Sequence, residues 1–321
     1  MKRLFRLLLW IVCFTLFATS YSAHGSSEYP KHYITFIVPF GAGGGFDTQA
    51  RLLAPYLKKY MPNNVDFIVR NITGASGQVG AVELIKSKPD GYTIGIMEVV
   101  PLAIVQLTGQ LTGTDVTRDF TWLGRTESPG ILAIMAKNGR FKSVKEMKGN
   151  KIRSGTTSGI VGTILVIKAL GGEPYVSLDS GTGESITGLL RGDYDIVLLS
   201  YTTALKQIQL SEGKLIPVLI CRLDKRPELP NVPNLMDVGL ESLVGILAAD
   251  RLLATPAGLP EDVMKMLTLT IAKATKDPEF ISRMLKAGYM PEAATSEESK
   301  KIVEDVMTSL RVTQNAWKTG P

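Results

Sequence analysis

The chain has 321 residues, 45% of them hydrophobic, with 36 Lys and Arg against 30 Asp and Glu. That is enough apolar mass for two globular domains of ordinary size. Two cysteines and two histidines exclude a Cys/His metal centre, and half of the small basic excess lies in the first six residues, so nothing points to a nucleic-acid-binding surface.

In chain order, Lys2, Arg3 and Arg6 precede an apolar run over 7–18, and the small residues Ser20, Ser22, Ala23 and Gly25 follow. This is the order of a secretory signal peptide, with an apolar run short for a membrane span. Residues 1–25 are therefore expected to be a signal peptide, removed after Ser22 or after Gly25. The remaining chain carries 33 basic and 30 acidic side chains and one cysteine, Cys221, so it has no internal disulfide. A Ser-His-Asp triad would have to use His32, and no Gly-x-Ser-x-Gly elbow occurs, which argues against hydrolysis by that route.

Ile34-Thr35-Phe36-Ile37-Val38 reads as a buried strand. Four glycines in five positions follow, Gly41 and Gly43 to Gly45, and Asp47 opens a helix whose apolar face is Ala50, Leu53, Ala54 and Leu57. Strand, side-chain-poor turn and helix N-terminus together expose backbone N–H groups at the positive end of a helix dipole, a seat for an anion. No Lys or Arg occurs from 34 to 50, so amides would do most of the holding. The same glycines also suit a turn that is merely tight. Pro55 lies inside this helix, where it should remove a hydrogen bond and kink it.

A second strand over 65–69 runs into the small-residue loop 71–80, and a helix over 81–86 ends at Pro89-Asp90-Gly91 before a third strand over 92–97. The alternation argues for parallel sheets covered by helices. A new set begins with a strand at 131–135 and a short helix at 143–147. The polar turn 154–159 leads to a helix over 160–170, and the loop 179–185 to a helix over 186–191. Strands at 195–199 and 214–221 follow. The end is helical, with starts at Pro260 and at Asp277-Pro278-Glu279, and a capping box at Thr295-Ser296-Glu297-Glu298.

Four small-residue loops, 41–47, 73–80, 154–159 and 180–185, thus follow strands or enter helices. They fit a cleft in which loops at strand carboxyl ends converge on a ligand, with hydroxyls from Thr156, Thr157, Ser158 and Thr182, although some of these residues would serve equally as caps and turns. A dinucleotide loop is disfavoured. Phe46 stands where Gly-x-Gly-x-x-Gly needs its third glycine, Ile186 does the same after the second Gly-x-Gly, and no Gly-Lys-Ser/Thr occurs.

At Val38-Pro39-Phe40-x-x-Gly43-Gly44-Gly45-x-Asp47-x-x-Ala50-Arg51 the chain resembles the tripartite tricarboxylate transporter receptors, the Bug-type periplasmic solute-binding proteins. The likeness continues at Asn71-x-x-Gly74-Ala75-x-Gly77-x-x-Gly80, at Pro89-Asp90-Gly91-Tyr92-Thr93, and more weakly at 154–159, Leu189-Leu190-x-Gly192-x-x-Asp195, 256–260 and 277–279. The resemblance implies an α/β, two-domain periplasmic binding fold, type II-like, with a cleft between a discontinuous first domain (31–126 plus 247–321) and a second (127–246). It implies a small carboxylate held by Gly43, Gly44, Gly45, Asp47, Ser76, Thr156, Thr157, Ser158, Gly181 and Thr182, with Asp47 shaping its loop rather than touching an anion.

The receptor so implied is a periplasmic monomer without cofactor or catalytic step, handing its ligand to membrane transporter subunits. A periplasmic sensor is the alternative, and an exported enzyme a more remote one. Asp179-Ser180-Gly181 departs from the family's frequent Tyr-Lys-Gly, losing a cation and gaining an acid. If two or more of Glu98, Asp179 and Glu184 face the ligand, a zwitterion or a monocarboxylate with a neutral body becomes a better fit than a plain di- or tricarboxylate.

Overall fold

The computed structural model describes residues 29–109, 114–156, 160–179 and 181–317. The expected signal peptide and four residues of the polar turns, Thr157, Ser158, Gly159 and Ser180, lie outside them.

Eleven strands among the described residues form two mixed sheets. The first holds β1 (Ile34–Val38), β2 (Phe67–Asn71), β3 (Thr93–Glu98), β4 (Phe120–Glu127), β10 (Arg251–Pro256) and β11 (Pro291–Ala294), in the order β11-β4-β10-β3-β1-β2. The second holds β5 (Ile131–Ala136), β6 (Lys151–Thr156), β7 (Glu173–Leu178), β8 (Ile196–Ser200) and β9 (Leu215–Cys221), in the order β7-β6-β8-β5-β9. Strands β1, β2 and β3 pair in parallel, as do β6, β7 and β8. Each set is made by helical crossovers, which only parallel neighbours require. β10 enters the first sheet antiparallel, between β3 and β4.

Burial explains the assignments. Ile34, Phe36, Ile37 and Val38 are buried in β1, and the helix Gly45–Tyr60 covers that sheet with Ala50, Leu53 and Leu57. That helix continues through Pro55. Pro55 and Arg51 are both exposed, so water can serve the Arg51 carbonyl that loses its donor, and the helix is not interrupted there. Two other expectations shift. The second strand starts at Phe67 rather than Val65, and the helix placed at 186–191 begins at Thr182. The Thr295 capping box forms with both reciprocal bonds, Glu298 N–H to Thr295 Oγ1 and Thr295 N–H to Glu298 Oε2.

The chain passes between the sheets twice, from β4 to β5 and from β9 back to β10. The helix Ser296–Val312 packs on β4, and the short helix Gln314–Trp317 packs on Ile160–Ala169 beside the second sheet. There Lys168 Nζ donates to the Ala316 carbonyl at 2.6 Å. One apolar cluster, including Met97, Leu102, Val166, Leu247 and Leu310, runs continuously from one sheet to the other.

The glycine turn after β1 is held by Asp47. Gly43, at φ +77°, donates its N–H to Asp47 Oδ2 at 2.8 Å. Arg51 Nε lies 3.0 Å from both carboxylate oxygens, and Asn71 Nδ2 donates to Oδ1 and to the Phe40 carbonyl. One buried carboxylate therefore ties the turn, its helix and β2 together. The Arg51 hydrogen bond is the main reason the Asp47 carboxyl is lowered to about 2, helped by Gly43 and Asn71 against the cost of burial. Because this pKa is depressed, the stabilisation is present above the unfolded value of about 4 and lost as pH falls toward about 2. Arg51 is half exposed and screened, so the Asp47→Asn variant should lose about 1–2 kcal/mol at pH 7. Its stability should fall less steeply than the parent's between about pH 4 and pH 2, as read by urea unfolding at several pH values.

Candidate functional site

Between the two sheets lies a cavity of about 220 Å³. Its walls are the carboxyl ends of parallel strands and the first turns of the helices that follow: Glu98 at the end of β3, Thr156 at the end of β6, Ser200 at the end of β8, then Val100, Val161, Thr182 and Thr203. Such ends converge on ligands in α/β sheets because the strand-to-helix turns point backbone and hydroxyl donors into one space. The cavity is apolar along Pro101, Ile104, Ile131, Leu199 and Leu247. On the second-sheet side its polar groups are hydroxyls, and Ser200 Oγ donates to Thr203 Oγ1 at 2.8 Å.

The first-sheet side is charged. Arg251, the first residue of β10, faces the cavity and pairs in register with Glu98 on β3 and Glu127 on β4. Its Nη1 lies 2.8 Å from the fully buried Glu127 carboxylate. Gln49 Nε2 makes a very short hydrogen bond to the same carboxylate, and the Met290 N–H donates to it at 2.9 Å. The guanidinium also lies over the Phe46 ring, 4.6 Å from its centroid, and 5.6 Å from that of Tyr289. Burial pushes the Glu98 carboxyl above the ordinary range, with Arg251 pulling it down and Asp250 adding to the rise. Glu98 keeps some accessible surface because it borders the cavity.

The glycine turn meets this site at one end only. Thr48 N–H to the Gly44 carbonyl is the first bond of its helix, so the amides of Gly45, Phe46 and Asp47 precede the intrahelical ladder. Phe46 lines the cavity, and a Cβ on Gly45 would stand 3.2 Å from Arg251 Nη2. Gly45 is therefore the clearance that seats a guanidinium against a helix start.

Of the residues singled out from the sequence, Thr156, Thr182 and Glu98 line the cavity, and Gly45 abuts it through Arg251. Gly43 and Gly44 are exposed and outside the lining, and the Gly43 amide is taken by Asp47. Asp47 is spent on its own loop. Ser76, at φ 52° in an exposed 3-10 turn, and Gly181, the N-cap of Thr182–Arg191, are likewise outside the lining. Thr157 and Ser158 fall outside the described residues. Asp179 turns away to accept from Ser185 Oγ at 2.5 Å and Tyr194 Oη at 2.7 Å, and Glu184 is exposed.

Sequence reasoning missed Arg251, Glu127, Gln49, Ser200 and Thr203. The one available signal for Arg251 was a charged pair, Asp250-Arg251, opening an otherwise apolar strand. No spacing rule links it to residue 98 or 127. Among the described residues there is no group of three or more His, Cys, Asp or Glu placed to hold a metal.

Comparisons with known proteins agree with this architecture. A curated UPF0065 protein of Agrobacterium vitis is 28% identical over 282 residues, 84% of this chain and 79% of that protein. A solved TctC solute-binding protein from Polaromonas superposes with a TM-score of 0.73 at 21% identity, covering 89% of this chain and 99% of the other. MatC from Rhodopseudomonas palustris, solved with bound malate, superposes with a TM-score of 0.67 at 22% identity, covering 90% and 99%. These solved neighbours establish the two-domain periplasmic-binding-protein fold. The model of the tripartite tricarboxylate transporter family receptor, TctC, matches residues 153–315, just over half of the sequence. The chain belongs to the tripartite tricarboxylate transporter receptor family, whose members are periplasmic solute-binding proteins.

Proposed function

We propose that this protein captures a small carboxylate-bearing metabolite between its two domains and delivers it to the membrane subunits of a tripartite transporter. The observation that carries this reading is the Arg251 guanidinium, seated against the first turn of Gly45–Tyr60 at the wall of the cavity between the sheets. A guanidinium fork beside unladdered helix amides offers a carboxylate both charge and directed donors. Thr156, Thr182, Ser200 and Thr203 supply hydroxyls from the opposite wall. The malate held by MatC is a carboxylate in a protein of this fold and supports the same chemistry here.

On this reading residues 31–126 with 247–321, and residues 127–246, are the two lobes, and ligand binding shifts the population toward the closed form. The protein works as a periplasmic monomer after loss of residues 1–25. It needs no catalytic step, and Glu98 and Arg251 are the only ionisable side chains among the described residues that line the cavity.

A thermal-shift screen of organic acids and amino acids tests the reading. A ligand at 100 times its dissociation constant should stabilise the fold by roughly 2.7 kcal/mol, a rise of several degrees. No shift with any carboxylate would overturn it. Two substitutions follow from the geometry. Gly45→Ala gains helix propensity but forces the guanidinium off its seat against Glu127, so stability should change by no more than about 1 kcal/mol while the best ligand weakens by about tenfold. Arg251→Lys keeps the charge opposite Glu127 but loses the fork. It should remain folded and also bind about tenfold or more weakly, as measured by calorimetry.

A further inference from the structure

We propose that Glu98 selects a ligand carrying a protonated amine beside its carboxylate, so that the captured metabolite is a small amino-carboxylate with an apolar body. This rests on the carboxylate-receptor reading above and narrows it.

Arg251 is one cation between two acids, with Glu98 on the strand to one side and Glu127 on the strand to the other. Glu127 holds the guanidinium at 2.8 Å in full burial. Among the described residues nothing makes a hydrogen bond or ion pair to the Glu98 carboxylate, at the end of β3 in the cavity wall. With Glu98 ionised the three side chains carry a net charge of about −1, in an enclosure that screens poorly. A dicarboxylate would add two more negative charges there, whereas an amino-carboxylate adds none. Directly opposed residues on antiparallel strands keep their Cβ atoms about 5 Å apart, which suits an ammonium on Glu98 and a carboxylate on Arg251 borne by neighbouring carbons. Val100, Pro101, Ile104 and Ile131 then meet the apolar remainder.

The groups around Glu98 set its response to pH. Arg251 and Asp250 face it from the start of β10, Asp250 being itself held by Arg125 at 2.9 Å, and Glu127 stands behind Arg251 on β4. The second-sheet lining brings hydroxyls and no titratable group among the described residues. Since burial raises the Glu98 carboxyl, an ammonium ligand favours its ionised form and displaces a proton from it. Affinity for such a ligand rises with pH as Glu98 ionises, whereas affinity for a dicarboxylate falls.

The test uses each standard L-amino acid, its des-amino acid and the C4 to C6 dicarboxylates, first by thermal shift and then by calorimetry of the best amino acid and its des-amino partner. The amino acid is expected to bind about tenfold or more tightly, with affinity rising with pH above the ordinary carboxylate range as Glu98 ionises. In Glu98→Gln the preference should shrink to about twofold and the pH dependence should flatten, with the des-amino acid bound as well as before or better. A des-amino acid or dicarboxylate binding as tightly as any amino acid overturns the inference and leaves the receptor reading standing. So does an equal loss of both ligands in Glu98→Gln, which would mark a structural role. Absence of binding by every carboxylate overturns both.

Discussion

A guanidinium withdrawn from water between two sheets is the constraint around which this site is built. Removing a charge from solvent costs several kcal/mol unless it is paired and bonded in place. Here the compensation comes from Glu127, itself fixed by Gln49 and by the Met290 N–H, and from the faces of Phe46 and Tyr289. Those partners come from a helix after β1, from β4 and from the approach to β11, so the whole first domain must assemble before the cation has a place. β10, far along the chain, is inserted antiparallel between β3 and β4. The insertion is what sets Arg251 opposite both acids.

The glycine turn serves this arrangement by absence of side chains. Asp47 consumes the Gly43 amide and locks the turn to β2, while Gly45 leaves room for the guanidinium. Phe46 in the first turn of the helix and the Arg251 cation thereby share one wall of the cavity.

The passage between the domains has its own charged frame. Arg125 binds Asp250 at 2.9 Å and Glu292 at 2.6 Å, and Arg222 reaches Glu292 at 3.1 Å and makes a very short bond to the Ser128 carbonyl. Gly130, at φ +69°, donates to the Ala248 carbonyl at 2.8 Å, and a Cβ there would meet the Arg222 side chain at 2.5 Å. Both crossing segments are thus fastened to one another and to the edge strand β11. Burial raises the Asp250 carboxyl against the pull of Arg125. Asp250 of this frame immediately precedes Arg251, so the cation at the cavity wall follows directly on the crossover.

Local rules made much of this protein legible from its sequence. Apolar runs located β1, β3, β5 and β8, and the small-residue loops marked the strand-to-helix turns, because both signals depend on neighbours in the chain. The Thr295 capping box was readable for the same reason. Glu98 was singled out as a carboxylate following the third strand, and Thr156 and Thr182 as hydroxyls in small-residue loops. What the tertiary structure alone decided was which of these groups share a space. It turned Asp179 toward Ser185 and Tyr194, spent Asp47 on its own turn, left Ser76 on the surface, and set Arg251 between Glu98 and Glu127. Those relations span from a few to more than 150 residues and are fixed by sheet register and burial, which a sequence pattern does not encode. The sequence by itself determined a two-domain α/β fold with a glycine turn between its first strand and first helix; the fold decided that Arg251 stands at the cavity wall beside that turn, because only the register of β10 against β3 and β4 brings that cation there.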